Sequence, residues 1–155
     1  MKNINFYYID TSVFGGYFDK EFFKTTCLFW SQAKEGRFRL LISDLVGKEL
    51  EKASEPVRNL LMMFSTEDMM LIQITEEMDW LADEYVKTGI VYENYRDDAL
   101  HVAAATLSPA KALVSWNFRH LVNIRREEGF NGVNLLKGYR QIRIVSPTEV
   151  IEYEE

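Results

Sequence analysis

The sequence predicts an α/β protein, a three-layer α/β/α sandwich around a mainly parallel sheet of about five strands. Two observations predict it. Short runs of β-branched and aromatic residues recur along the chain, and the stretches between them carry helical periodicity, which implies right-handed crossovers and a sheet covered on both faces. At 155 residues, 47% hydrophobic and 14% aromatic, the chain reads as a single domain over residues 1–155 with ample material for a core.

Ile4 to Ile9 is a first strand that ends abruptly in Asp10-Thr11-Ser12. Glu21 to Glu35 carries Phe22, Cys27, Phe29, Trp30 and Ala33 at helical spacing, and Gly36 is a stop signal. Phe38 to Ile42 is a second strand, after which Ser43-Asp44 can cap a helix from Leu45 through Ala53. Pro56 opens a helix through Met63, and Met70 to Ile74 is a third strand. Thr75 to Thr88 is a helix with Met78, Leu81, Ala82 and Tyr85 on one face, ended by Gly89. Asp97 to Leu107 is a helix that stops before Pro109, with Leu100, Ala103, Ala104 and Leu107 on a face small enough to pack tightly on the sheet. Ala112 to Ser115 and Ile142 to Val145 are the fourth and fifth strands, and Ser146-Pro147-Thr148-Glu149 starts a short terminal helix with a capping box.

Composition limits the partners. No segment approaches the ~20 apolar residues of a membrane span, and Met1 to Phe6 lacks the features of a signal peptide, so the expectation is a cytoplasmic protein without membrane contact. The lone Cys27 leaves no internal disulfide, and with only His101 and His120 besides, a bound metal must be held by oxygen. The net charge of -6 hides an asymmetry: Lys111 to Arg143 holds seven basic residues against Glu127 and Glu128, a local net of +5. Such a stretch suits a basic binding surface beside an acidic metal site, although a solvated face is the ordinary alternative.

In parallel α/β sheets, ligands gather beyond the carboxyl ends of the strands. Asp10 stands there after the first strand, Asp44 and then Glu49 follow the second, and Asn117 follows the fourth. A few carboxylates at one rim are enough for Mg²⁺ or Mn²⁺, which keep several of their waters. Asp10 and Asp98 are the leading ligands. For Asp10 the alternative is an Asx-turn or N-cap, and for Asp98, in the first turn of a helix, it is dipole stabilisation. His101, three residues on, shares the face of Asp98, where a satisfied half-buried histidine competes with a catalytic one. Glu49 is less distinctive, and Glu51 points about 200° away from it on the same helix, so both cannot face one metal.

Four segments in this order resemble the PIN-domain family: Tyr8-Ile9-Asp10-Thr11-Ser12, Glu49-Leu50, Asp98-Ala99-Leu100-His101-Val102-Ala103-Ala104-Ala105 and Val114-Ser115-Trp116-Asn117-Phe118. The match runs from about Phe6 to Val150. PIN domains are metal-dependent nucleases acting mostly on RNA, and many are the toxins of virulence-associated toxin-antitoxin pairs. The resemblance implies that Asp10, Glu49 and Asp98 are the acidic metal ligands, and it favours Asp98 over Asp97. It therefore implies a ribonuclease using Mg²⁺ or Mn²⁺, with an antitoxin protein as a candidate partner. Thr11 and Ser12 are then candidates to hydrogen-bond a ligand or water, and Arg119, Arg125 and Arg126 candidates to contact RNA phosphates.

One departure stands out. The family often has an acid just past the fourth strand, where this chain has Asn117, whose carbonyl can orient a metal-bound water but brings no charge for a second ion. One tightly held metal is expected rather than two. Trp116 and Phe118 are candidates for stacking on bases, with buried packing the more ordinary use, and His120 could assist there, with a surface helix position as its ordinary use. Tyr17, Phe18, Phe22 and Phe23 are candidates for a homodimer contact or for the core. Of the rivals, an Asp-based phosphatase wants a second acid where Ser12 stands, and a phospho-acceptor domain wants an acidic pair after the first strand. A catalytically weak or inactive PIN-like binding protein stays open.

Overall fold

Strand β1 (Phe6–Ile9) is the middle of a five-stranded parallel sheet, flanked by β2 (Arg39–Ser43) and β3 (Met69–Ile72) on one side and by β4 (Ala112–Val114) and β5 (Arg143–Val145) on the other. The computed structural model describes residues 4–63 and 68–154; residues 1–3, on which the signal-peptide expectation partly rests, lie outside that range. The helices are α1 (Ser12–Gly15), α2 (Phe23–Lys34), α3 (Asp44–Glu51), α4 (Glu55–Leu61), α5 (Glu76–Lys87), α6 (Arg96–Thr106), α7 (Ile124–Leu136) and α8 (Pro147–Val150), with 3-10 turns at Gly16–Phe18 and Glu93–Tyr95. The three-layer α/β/α sandwich expected from the sequence is the observed architecture. Among the described residues, no helix is long and apolar enough to cross a membrane.

Side-chain alternation along the strands divides the interior in two. Tyr8, Leu41 and Leu113, aligned across β2, β1 and β4, face a core filled by α5, α6 and α7. Ile9, Leu40, Ile42 and Val114 face the opposite core, with Phe14, Phe29, Trp30 and Leu60. Helix α6 differs from the expected one-sided face, since Ala99 through Thr106 are all buried. It packs against both β4 and α5, and a helix covered on opposite sides must be apolar nearly all round.

Two helices depart further from expectation. Ser43 takes the N-cap position of α3 as expected but makes no side-chain capping bond; its hydroxyl is held by Tyr8, 2.7 Å away. Helix α7 was not expected, because Gly129, Asn131, Gly132 and Asn134 break its apolar stripe. Its buried asparagines do a strand's work: Asn131 accepts the Ile142 N–H at 2.7 Å and donates to the Ile142 carbonyl at 2.8 Å. Gln32 grips Glu152 in the same reciprocal way, at 2.8 Å for each bond.

Gly16 marks the tightest approach. A Cβ there would lie 2.6 Å from the Trp116 indole nitrogen and 2.8 Å from the Thr26 hydroxyl, which are themselves hydrogen-bonded at 3.0 Å. Gly16→Ala is expected to lower stability by about 1–3 kcal/mol through overpacking. Gly47→Ala, in helix α3 with open space around the new methyl, should instead raise it by about 0.5–1 kcal/mol. Urea denaturation of the pair checks both signs, and equal midpoints would refute the packing argument.

Candidate active site

The sheet order places a topological switch between β1 and β4: the chain first winds outward through β2 to β3, then returns to lay β4 on the other flank of β1. Ligands of open parallel sheets sit in the crevice at the carboxyl ends of such a pair. Asp10 leaves β1 and Ser115 leaves β4 at that point, and the Ser115 hydroxyl donates to Asp10 Oδ2 at 2.6 Å. The other oxygen, Oδ1, accepts the Ser12 N–H at 3.1 Å and the Ser12 hydroxyl at 2.6 Å. The Asx-turn reading of Asp10 is therefore realised on Oδ1, while Ser115 holds Oδ2 at the switch point. Ser12 Oγ also accepts the Trp116 N–H at 2.8 Å, which ties the β1 and β4 loops together.

Glu49 reaches the same rim from α3. Its Oε1 accepts from the Thr11 hydroxyl at 2.9 Å and meets His101 Nε2 at 2.5 Å. Asp98, in the first turn of α6, pairs through Oδ2 with His120 Nδ1 at 3.1 Å, whereas Asp97 and Glu51 are exposed. Leu45 and Leu50 face the core, which leaves Glu49 half-buried at the edge.

The electrostatics follow from crowding acids at a partly dry rim. Burial pushes the Asp10 carboxyl above its usual range and the nearby Glu49 charge adds to this, against His101, Ser115 and Ser12. Burial likewise raises Asp98, with Asp10 and Glu49 repelling its charge while His101 and His120 oppose the shift. Burial would raise Glu49 too, but its hydrogen bond to His101, the His101 charge and the Thr11 hydroxyl hold it below the usual range. His101 shows the converse: burial pulls it down, and Glu49, Asp10 and Asp98 more than restore it. The three acids feel one another across the rim, and His101 is their nearest compensating charge.

Among the described residues, no three acids, histidines or cysteines stand close enough to enclose an ion unaided. Hard divalent ions need only one or two carboxylates and retain water. The donor set fits such an ion: it is all oxygen, it is mutually repulsive without a cation, and Oε2 of Glu49 has no partner among the described residues.

The other sequence candidates settle as follows. Asn117 stands one link from Asp10, its N–H donating to Ser115 Oγ at 2.9 Å, but its side-chain carbonyl turns into its own loop to accept the His120 N–H at 2.9 Å. His120 is not on a surface helix; it lies in the turn before α7, under the Tyr95 ring with centroids 4.0 Å apart. Trp116 is packed, stacked on Phe22 at 4.3 Å, whereas Phe118 is 48% exposed and so not the buried residue its alternative foresaw. Phe18 and Phe23 are likewise about half exposed, while Phe22 and Tyr17 are partly covered.

The basic stretch divides. Arg140 spends its guanidinium on the carbonyls of Ala105, Thr106 and Ser108, Arg143 pairs with Glu127, and Lys137 lies near Glu84. Arg119, Arg125 and Arg126 line one open cleft of about 620 Å³ with Ile90 and Asn123. Arg126 is anchored on the Ile90 carbonyl, while Arg119 and Arg125 are exposed and have no ion-pair partner among the described residues. Tyr8 and Ser115 are the contacts that sequence reasoning did not assign, and His120, a candidate to assist beside Trp116 and Phe118, meets Asp98 instead. Ser115 left a trace, as the polar residue that ends a strand.

No protein-family model matches the chain, and no curated protein matches it in sequence. Solved structures resemble it in fold. A chain of VapBC2 from Rickettsia felis, in a crystal structure bound to a DNA fragment from their promoter, aligns with a TM-score of 0.56 at 16% identity, covering 91% of this chain and 98% of that one. A chain of DNA-bound VapBC from Salmonella typhimurium aligns with a TM-score of 0.54, also at 16% identity, covering 94% of this chain and 99% of that one. Such distant likeness speaks for the fold, and the fold is that of PIN domains.

Proposed function

We propose that this chain is a divalent-metal-dependent ribonuclease, the toxin of a toxin-antitoxin pair. The observation that carries the reading is the placement of two mutually repelling carboxylates, the buried Asp10 and the half-buried Asp98, at the switch point of a PIN fold, with Glu49 beside them. Asp10, Asp98 and Glu49 would hold Mg²⁺ or Mn²⁺. When bound, the ion supplies a water of lowered pKa and neutralises charge that builds on the phosphate. Ser12 and Ser115 orient Asp10, Thr11 and His101 orient Glu49, and His120 orients Asp98.

RNA phosphates run over Arg119 and Arg125, which have no ion-pair partner among the described residues and whose forked guanidinium matches a phosphate edge. On a cleavage-dead Asp98→Asn background, Arg119→Ala and Arg125→Ala should each flatten the salt dependence of single-stranded RNA binding by a slope of about 0.7. Fluorescence anisotropy across a salt series measures it, and unchanged slopes would remove both arginines from the RNA path.

The VapBC neighbours support the toxin role and a small antitoxin as partner. The direct test is cleavage of single-stranded RNA with Mg²⁺ or Mn²⁺ and with chelator, alongside induced expression in a bacterial host. Metal-dependent cleavage and growth arrest are the expected results. The inward-turned carbonyl of Asn117 favours a second reading, a PIN-like protein that binds RNA but does not cut it. RNA binding without cleavage in either metal would select that reading.

A further inference from the structure

Among Ala99 to Thr106 of α6, all buried, His101 is the sole ionisable side chain, and its ring is 2% exposed. Its Nδ1 lies 2.7 Å from the hydroxyl of Tyr8, a strand residue with no exposure, and that hydroxyl lies 2.7 Å from Ser43 Oγ. On the other side, Nε2 lies 2.5 Å from Glu49 Oε1, on a side chain that is 31% exposed. A continuous hydrogen-bonded path thus runs from the end of β2 through the middle of the core to one acid at the rim.

The wiring has a fixed direction at its outer end. The Glu49 carboxylate can only accept, so Nε2 must carry the hydrogen it donates, and Nδ1 is left to face Tyr8. The Thr11 hydroxyl falls on the same oxygen at 2.9 Å, so both bonds engage Oε1, and Oε2 has no partner among the described residues. An apolar pair in place of Tyr8 and His101 would fill this space without any polar group to desolvate. The sequence instead keeps a buried polar path, and the path ends on a half-exposed carboxylate rather than on another core group.

We infer that Tyr8 and His101 are positioning residues, which clamp one oxygen of Glu49 from the core side and leave the other presented to a divalent cation. The inference rests on the proposal that Glu49 helps to hold the metal. Asp10 and Asp98 have hydrogen-bonded supports of their own in Ser12, Ser115 and His120, and the Tyr8 hydroxyl bonds to Ser43 and His101, so its removal acts on the clamp of Glu49. Loss of a group that orients a metal ligand typically weakens the metal about 10–100-fold.

The test is calorimetric titration of the intact protein with MnCl₂ for the wild type, Tyr8→Phe, Glu49→Gln and the double variant. Tyr8→Phe keeps the ring and removes only the hydroxyl; should it fail to fold by circular dichroism, His101→Gln replaces it, read as its excess weakening over the Glu49→Gln background, since loss of the ring also reaches Asp10 and Asp98. The expected result is a Kd raised about tenfold by Tyr8→Phe in the wild type and hardly altered by it in the Glu49→Gln background. An equal weakening in both backgrounds reflects general destabilisation and overturns the inference, as does an unchanged Kd. If Glu49→Gln binds Mn²⁺ as the wild type does, the inference falls while metal binding by Asp10 and Asp98 stands. A wild type that takes up no Mn²⁺ overturns both.

Discussion

Asp10→Asn is expected to lower the proposed metal-dependent RNA cleavage by on the order of 10²-fold or more, and in chelator to raise the midpoint of thermal unfolding by roughly 2–4 °C. The opposite signs come from one cause. The carboxyl of Asp10 is almost fully covered, so its charge costs folding free energy that His101, the Ser12 and Ser115 hydroxyls and the Ser12 N–H offset in part. A group whose pKa is raised by folding destabilises the folded state at neutral pH, and its neutral isostere relieves that cost. Asparagine fits the same contacts. Its carbonyl can accept the Ser12 N–H and hydroxyl, and its amide can donate to Ser115 Oγ, whose own hydrogen turns to Ser12 Oγ 3.2 Å away. The gain of about 1 kcal/mol should disappear when Mn²⁺ is added, because the ion stabilises only the protein that binds it. Thermal shift in chelator and in Mn²⁺, together with the cleavage assay, reads both effects. Full cleavage by Asp10→Asn would sink the proposed mechanism, and a lowered midpoint in chelator would make Asp10 a structural cap instead.

Asn131→Ala should cost about 3 kcal/mol, a fall of roughly 6–12 °C in the unfolding midpoint of a chain this size. The side-chain amide supplies both hydrogen bonds of Ile142, which is 1% exposed and lies just before β5. Truncation leaves a buried N–H and a buried carbonyl without partners, and it also removes the Asn131 oxygen that meets Asn134 at 3.3 Å. Differential scanning calorimetry measures the loss. A shift of under about 2 °C would mean that water replaces the amide.

Much of this molecule is written locally. The strands, most of the helices and the capping box of α8 follow from periodicity and end signals over a few residues. Asp10 and Asp98 were legible for the same reason, since one ends a strand and the other opens a helix, and in a parallel sheet these places face the same edge. Glu49 was legible only through the PIN resemblance, because a glutamate on a short helix has no local mark. Helix α7 was invisible because Asn131 and Asn134 share its buried face with Phe130 and Val133, and the partners of the asparagines, Ile142, Tyr85 and Thr106, lie outside the helix.

By itself the sequence determined the order of the elements, the parallel sheet and two acids at its rim, because backbone propensity and burial pattern act over neighbouring residues. Only the tertiary structure decided what holds those acids. Ser115 meets Asp10 across 105 residues, and Tyr8 meets His101 across 93, once β1 is set beside β4 and under α6. Contacts that distant depend on register and on which faces pack together, and no local pattern encodes them. The same packing turned the Asn117 carbonyl inward, set His120 against Asp98 and exposed Arg119 and Arg125 along the cleft beyond.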